Sequence, residues 1–194
     1  VNTAAISQKQ DILTGATSEL VSTDLTAGRA LQSDASGKIV GEAMVVAAQK
    51  EFETPYQIIR YHNVYGPGQK NHFLPEFIDR VQQGVYELYG YENTRSFCYV
   101  QDAVRATSLI AKEAPWNEIY HVGSDNEYTI KQVADLILDK LSINEDIVLY
   151  NDPPGSVKRR CPDISKIKKL GYKPSVDLSD GIDKILEKDY GIKN

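Results

Sequence analysis

The aromatic residues of this 194-residue chain are confined to one part of it, and this limits what each part can fold into. Residues 1–51 contain no Tyr, Phe, Trp or Pro, whereas all 12 Tyr, all 4 Phe and the single Trp lie from Phe52 onward. A large aromatic side chain buries about 150–250 Å², so the first part has little with which to build its own core. We therefore expect it to self-associate or to pack on the rest of the chain.

Residues 1–40 are predicted to form a separate segment. They are rich in Ser and Thr, and short apolar clusters at residues 12–13 and 20–21 are separated by turn residues. The clearest turn signal is Asp-Ala-Ser-Gly at residues 34–37. This pattern predicts short extended segments joined by tight turns. An irregular Ser/Thr-rich linker is the alternative interpretation.

After residue 40, strand patterns alternate with amphipathic helix patterns, which predicts an α/β fold for residues 41–194. Thr129 and Asp102 are predicted to cap helices, and Gly84 is predicted to end one. The predicted helices cover residues 42–52, 74–83, 102–112, 164–170, 178–190 and the segment after Thr129, and the predicted strands cover residues 56–61, 86–89, 95–100, 118–122 and 147–150.

The charge and composition exclude several functions. The chain has 22 Lys and Arg against 27 Asp and Glu, a net charge of −5, and no long basic run, so we expect no nucleic-acid partner. No stretch approaches the roughly 20 apolar residues that cross a bilayer, so we expect a soluble, cytoplasmic protein. The two cysteines and three histidines have no metal-ligand spacing, and no metal site is predicted.

Part of the first segment resembles a repeat of fibrous proteins. The sequence Gln-Asp-Ile-Leu-Thr-Gly-Ala at residues 10–16, followed by residues 24–38, is similar to the repeat in tail fibres of phages and related proteins of large viruses. The resemblance implies a homo-oligomer, a trimer assembled through residues 1–40, in a virion that displays the second domain.

The second part carries six ordered motifs over roughly 150 residues. They resemble the substrate-binding part of NAD-dependent nucleotide-sugar epimerases and dehydratases, the extended short-chain dehydrogenase/reductase family. The motifs are Arg-Tyr-His-Asn-Val-Tyr-Gly-Pro at residues 60–67, Phe-Leu-Pro-Glu-Phe-Ile at 73–78, Leu-Tyr-Gly at 88–90, and the runs at 94–103, 120–130 and 160–174.

The resemblance implies roles for five residues. Asn63 matches an asparagine that contacts substrate, and Arg95 and Arg160 match arginines that hold the diphosphate of a nucleotide sugar. Guanidinium groups pair bidentately with phosphate oxygens and keep their charge, which agrees with this role. Leu74 and Tyr89 are expected near the nucleotide or the sugar by the same correspondence.

Some of these motif residues have a purely structural alternative. In that alternative, Arg95 and Arg160 are surface arginines paired with Asp102, Asp163 or other carboxylates. Tyr65, ahead of Gly-Pro, then simply packs a turn.

Two features of the family pattern are missing from the first part. Residues 1–41 contain no glycine-rich loop of the kind that holds the pyrophosphate of NAD, so we expect no cofactor in this chain unless another chain supplies the Rossmann half. Aligning Lys38 with the family's catalytic lysine puts Asp34 where tyrosine is expected, and the Lys38 match is alternatively accidental.

These observations predict a nucleotide-sugar-binding domain with no catalytic residues of its own, which does not catalyse the family reaction alone. A trimeric viral or phage tail-fibre protein that displays this domain is the alternative.

Overall fold

The computed structural model describes residues 35–152 and 154–193. The chain divides into two compact units, residues 1–47 and 48–194. The predicted extended ribbon of residues 1–34 and its trimer lie outside the described residues. The predicted α/β fold is confirmed for the part of the chain that the structure describes.

Helix α1 spans Ala35–Phe52 and is continuous across the predicted boundary at residue 40. The predicted turn at residues 34–37 is therefore wrong from Ala35 onward. One glycine inside a helix costs about 1 kcal/mol relative to alanine. The helix contains two glycines, Gly37 and Gly41, and the run after them contains Ala43, Ala47 and Ala48, whose helix propensity carries the helix back through both.

The described residues after α1 form five further helices and nine short strands. The helices are α2 (Phe73–Gln82), α3 (Val100–Glu113), α4 (Ile130–Lys140), α5 (Ser165–Lys168) and α6 (Leu178–Tyr190). The strands are β1 (Gln57–Tyr61), β2 (Val64–Tyr65), β3 (Glu87–Tyr89), β4 (Thr94–Ser96), β5 (Cys98–Tyr99), β6 (Glu118–Val122), β7 (Glu127–Thr129), β8 (Val148–Tyr150) and β9 (Arg159–Arg160).

The strands pair mostly in parallel, as expected where helices connect them. β1 pairs with β6, β2 with β5 and β3 with β8, each in parallel. β4 lies between antiparallel β7 and parallel β9. The last pairing matters for function because it joins residues that are more than 60 positions apart.

The predicted strand at residues 95–100 is wrong as one element, because the chain changes sheets at Phe97. Residues before Phe97 belong to β4, which pairs with β7 and β9, and residues after it belong to β5, which pairs with β2. Asn63 spans the break: its backbone oxygen accepts the Cys98 N–H at 3.1 Å and its side-chain amide donates to the Ser96 oxygen at 2.9 Å.

The sequence predicted that Asp102 caps α3, and this prediction is wrong. The helix begins at Val100, and the Asp102 carboxylate is 1% exposed inside its first turn. There it accepts the backbone N–H groups of Ser175 and Val176, each at 3.1 Å, and pairs with Arg105. A buried carboxylate needs such partners, and tertiary contacts, not capping, supply them.

The other helix signals are confirmed. Thr129 accepts the Gln132 N–H at 3.0 Å while the Gln132 side chain accepts the Thr129 N–H, which forms a capping box at the start of α4. Gly84 follows α2 with φ +78, a conformation that glycine adopts without strain. The apolar faces of α2, α4 and α6 meet in one core cluster, whose fully buried members include Phe77, Ile78, Val133, Ile137 and Ile182.

We predict that two identical substitutions have different effects on stability. Val133→Ala removes two methyl groups from a side chain with no exposure and is expected to cost about 2 kcal/mol. Val104→Ala, on a side chain that is 63% exposed, is expected to stay within about 0.5 kcal/mol of wild type. Urea unfolding of both variants measures the difference, and equal losses would contradict this assignment of the core.

Candidate functional site

A cavity of about 310 Å³ lies between the first turn of α2 and strands β4 and β9. It contains four of the five residues that the sequence singled out and omits Tyr89. No Asp or Glu is among the described residues that line it. Its lining is Asn63, Val64, Tyr65, Gln69, His72, Phe73, Leu74, Arg95, Phe97, Ile130 and Arg160.

Strand register brings the two predicted arginines together. Arg95 on β4 and Arg160 on β9 are direct cross-strand partners. Side chains alternate along a strand, so the neighbouring pair, Thr94 and Arg159, faces the other side of the sheet. On that side Arg159 forms an ion pair with Glu127 at 2.8 Å. The cavity face therefore carries two positive charges, and the opposite face carries a neutralised one.

Arg95 is held by backbone carbonyl groups. Its guanidinium donates to the oxygens of Thr94 and Val157, each at 2.7 Å, and of Lys158 at 3.2 Å. Burial lowers the pKa of Arg95, and the neighbouring Arg160 charge lowers it further. An arginine still stays protonated, so the group remains a fixed cation that also anchors the loop before β9.

Within the described residues, neither arginine forms an ion pair with the two carboxylates that the alternative names. Asp102 pairs with Arg105, and Asp163 accepts the backbone N–H of Ser165 at 2.8 Å. Among the ion pairs that the described part of the chain forms, none includes Arg95 or Arg160. The charge of Asp152 acts on Arg95, but Asp152 itself pairs with Lys158, so the two adjacent arginines still form a site that favours an anion.

Helix α2 contributes its amino-terminal end to the cavity. His72, Phe73 and Leu74 line the cavity, and the His72 side chain makes no capping hydrogen bond. The first N–H groups of a helix have no partner within it, and the helix dipole adds partial positive charge there. This end of α2 therefore reinforces the positive potential of the arginine pair.

Asn63 and Tyr65 have structural contacts in addition to their place in the cavity lining. Asn63 adopts φ +40, in the left-handed region that Asn tolerates better than most residues, while it brackets the β4–β5 break. Tyr65 is 3% exposed, its hydroxyl donates to the Asp177 oxygen at 3.5 Å, and burial raises its pKa well above the usual range. Tyr65 is therefore a neutral, packed residue, in agreement with the alternative that the sequence left open.

Tyr89 lies outside the cavity. It is half exposed on β3 and stacks on Tyr150 of the adjacent strand β8, with ring centroids 4.8 Å apart. The predicted role of Tyr89 near the nucleotide or sugar stays a prediction, and the stacked pair gives it a structural partner that the sequence did not indicate.

The sequence analysis missed a contact between two histidines. His62 Nε2 lies 2.7 Å from His121 Nδ1, although the residues are 59 positions apart. His62 directly follows β1, and His121 is the last but one residue of β6, the parallel partner of β1. A parallel pairing of these two strands, had it been predicted, would have placed both histidines at one sheet edge.

The described glycines do not form a dinucleotide cradle. The Gly-x-Gly pair is Gly66 and Gly68, and a Cβ on Gly66 would lie 2.6 Å from Val100 Cγ1, so this space is filled by protein. The Gly68 N–H donates to Asp189 Oδ2 at 2.8 Å and is not free for a phosphate. The described residues therefore do not fit the pyrophosphate of NAD.

The described residues form neither a metal-binding cluster nor a membrane-spanning helix. No group of three or more His, Cys, Asp or Glu side chains in this part of the chain is arranged to hold a metal ion. None of the described helices combines the length and apolar character needed to span a bilayer.

Comparison with known proteins assigns the family. Residues 24–123 match the sequence pattern of the NAD dependent epimerase/dehydratase family, and the chain belongs to this family. The match begins inside the segment that resembles a fibre repeat.

Individual relatives are consistent with this assignment. A putative UDP-glucose 4-epimerase of Methanocaldococcus jannaschii is 30% identical over 156 residues, which are 77% of this chain and 50% of the relative. The UDP-glucose 4-epimerase of Thermotoga maritima, solved with UDP-glucose, superimposes with a TM-score of 0.72 at 28% identity and covers 79% of this chain and 52% of that one.

A third relative was solved with a dinucleotide. The dTDP-glucose 4,6-dehydratase of Streptomyces venezuelae, solved with NAD bound, has a TM-score of 0.73 at 27% identity and covers 80% of this chain and 50% of that one. The chain thus spans about half the length of the relatives that it matches.

We predict that the two cavity arginines affect the stability of the ligand-free protein in opposite directions. Arg95→Gln loses hydrogen bonds to three carbonyl oxygens and is expected to cost about 1–2 kcal/mol. Arg160→Gln relieves repulsion without losing an ion pair and is expected to be neutral or slightly stabilising. Urea unfolding at low ionic strength tests both, and equal destabilisation would show that Arg160 is also a structural anchor.

Proposed function

We propose that residues 48–194 bind a nucleotide sugar, with its diphosphate between Arg95 and Arg160. The observation that carries this proposal is the in-register pair of cations on β4 and β9, in a cavity without a described carboxylate. Two adjacent cations raise the local positive potential, which favours an anionic ligand. A sugar diphosphate diester carries two negative charges, which match the two arginines.

The rest of the lining suits a sugar. Besides the arginines, the polar side chains of the cavity include Asn63, Gln69 and His72. Its apolar walls include Leu74, Phe97 and Ile130. A few polar groups on an apolar wall are typical of sites that orient small molecules. A cavity of about 310 Å³ is at the small end of such sites, so we assign it to the diphosphate and sugar and leave the base outside.

The proposed activity of the described residues is binding without turnover. NAD accepts and returns a hydride in enzymes that hold it, and the described glycines do not fit its pyrophosphate. We infer that turnover requires a dinucleotide-binding half from another chain or from residues that the structure does not describe. Asp34, predicted in place of the catalytic tyrosine, lies outside the described residues.

A pair of adjacent arginines gives a matched test. Arg160→Gln is expected to weaken binding of a UDP-, GDP- or dTDP-sugar tenfold or more, because one charge-assisted contact contributes about 1.5–3 kcal/mol. Arg159→Gln removes the same charge from the next residue, where it pairs with Glu127 on the opposite face. It is expected to change the affinity less than threefold. Isothermal titration calorimetry at fixed salt measures both.

Two outcomes would overturn the proposal. The first is that none of the three nucleotide sugars binds to the wild-type chain, and the second is that the two variants lose equal affinity. Turnover by the chain in the presence of NAD would overturn the inference that binding occurs without catalysis.

The trimer of residues 1–40 and the tail-fibre role remain predictions. The family match begins at residue 24 and residues 35–40 are helical, so both findings overlap the later part of the fibre-like segment. Sedimentation of the full chain distinguishes the two: a monomer at micromolar concentration excludes the fibre, and a trimer that disappears when residues 1–34 are deleted supports it.

A further inference from the structure

His62 and His121 form a hydrogen-bonded imidazole pair at the carboxyl edge of the parallel strands β1 and β6. Nε2 of His62 lies 2.7 Å from Nδ1 of His121, and the ring centroids are 4.9 Å apart. The His62 N–H donates to the Val122 oxygen at 2.9 Å, which fixes the backbone of His62 to β6. The pair is therefore set by strand pairing and not by a chance contact of surface side chains.

Two elements place charged groups beside this pair. Arg60 on β1 acts on His62, and Asp163, in the segment after β9, acts on His121. Burial lowers the pKa of His62, and the charges of His121 and Arg60 lower it further. A positive charge is thus disfavoured on the His62 ring, whereas the Asp163 carboxylate attracts positive charge at the His121 ring.

One proton between the two nitrogens is needed for the hydrogen bond. A neutral pair has one donor and one acceptor, and a singly protonated pair keeps the bond when His121 donates and His62 accepts. A second proton, on His62, leaves an N–H facing an N–H, and the bond is lost. Two imidazoles this close titrate as a coupled pair.

Gly123 lies between His62 and the segment that carries Arg160. A Cβ on Gly123 would lie 2.8 Å from Pro162 Cγ and 3.3 Å from His62 Cβ, so both side chains pack closely on this glycine. Pro162 follows Arg160 by two residues, and His62 directly precedes Asn63. A displacement of the His62 side chain can therefore reach Asn63 along the chain and the Arg160 segment through Gly123.

We infer that the His62–His121 hydrogen bond positions Asn63 and the Arg160 segment, and that acidification, by breaking this bond, weakens binding at the cavity. The inference rests on the proposed function for its ligand. It assigns a regulatory role to two histidines that do not themselves line the cavity.

The first test is independent of any ligand. Histidine imidazole resonances of the full chain are followed by NMR from pH 8 to pH 4.5. We expect His62 and His121 to titrate in two coupled steps, with the second step displaced to lower pH, and His121→Asn to convert His62 to a single step. Independent single steps for both rings, unaltered in the variant, would overturn the shared proton.

The second test measures the coupling to binding. UDP-glucose serves as the probe, because its diphosphate diester keeps its charge between pH 7.5 and pH 4.5. We expect its dissociation constant for the wild-type chain to rise at least fivefold between these values, with the rise following the second step of the NMR titration. His121→Asn, in which an amide replaces the titrating partner, is expected to show less than a twofold rise. His72 is present in both proteins, so the difference between them isolates the pair.

The outcomes separate the inference from the proposed function. Equal pH dependence in wild type and His121→Asn overturns the coupling even when binding at pH 7.5 is strong. If UDP-glucose does not bind at pH 7.5, the GDP- or dTDP-sugar that binds replaces it as the probe. If none of the three binds, the proposed function and the coupling both fail, and the NMR titration alone judges the shared proton. Should His121→Asn unfold, His62→Gln replaces it: we then expect His121 to titrate in a single step and the dissociation constant to rise less than twofold.

Discussion

Backbone hydrogen bonds between β4 and β9 hold two like charges side by side, and the proposed site depends on this constraint. The Lys158 oxygen accepts the Thr94 N–H at 2.8 Å, and the register then sets Arg95 opposite Arg160. Side chains alone would separate two cations, because their repulsion is unfavourable at any dielectric constant. The sheet therefore holds an unfavourable contact, and the proposed anionic ligand would relieve it.

Local signals in the sequence predicted most helices well. These signals located α2 within one residue, α6 at its observed bounds and Thr129 as the cap of α4. Errors arose where tertiary contacts outweigh local preference. Gly37 lies inside a helix because its neighbours favour one, and Asp102 is a buried acceptor because a distant loop returns to it. Neither effect is visible in a short window of sequence.

The candidate site was predicted only in part, again because tertiary contacts decide which residues meet. Family motifs brought Asn63, Leu74, Arg95 and Arg160 to attention, and the structure gathers all four around one cavity. Their partners were not predictable: the carbonyl contacts of Arg95 and the meeting of His62 with His121 depend on which strands pair. Residue types set what chemistry is available, and strand order decides which of them meet.

The length of the loop between β8 and β9 is constrained, because one carbonyl in this loop accepts two hydrogen bonds. The Lys158 oxygen accepts both a strand hydrogen bond and the Arg95 guanidinium, so loop length fixes which residue comes next at position 160. Loss of a single loop residue would shift β9 by one position, so that the residue after each arginine would take its place in the sheet. Homologous chains should therefore vary freely in the composition of this loop while keeping its number of residues.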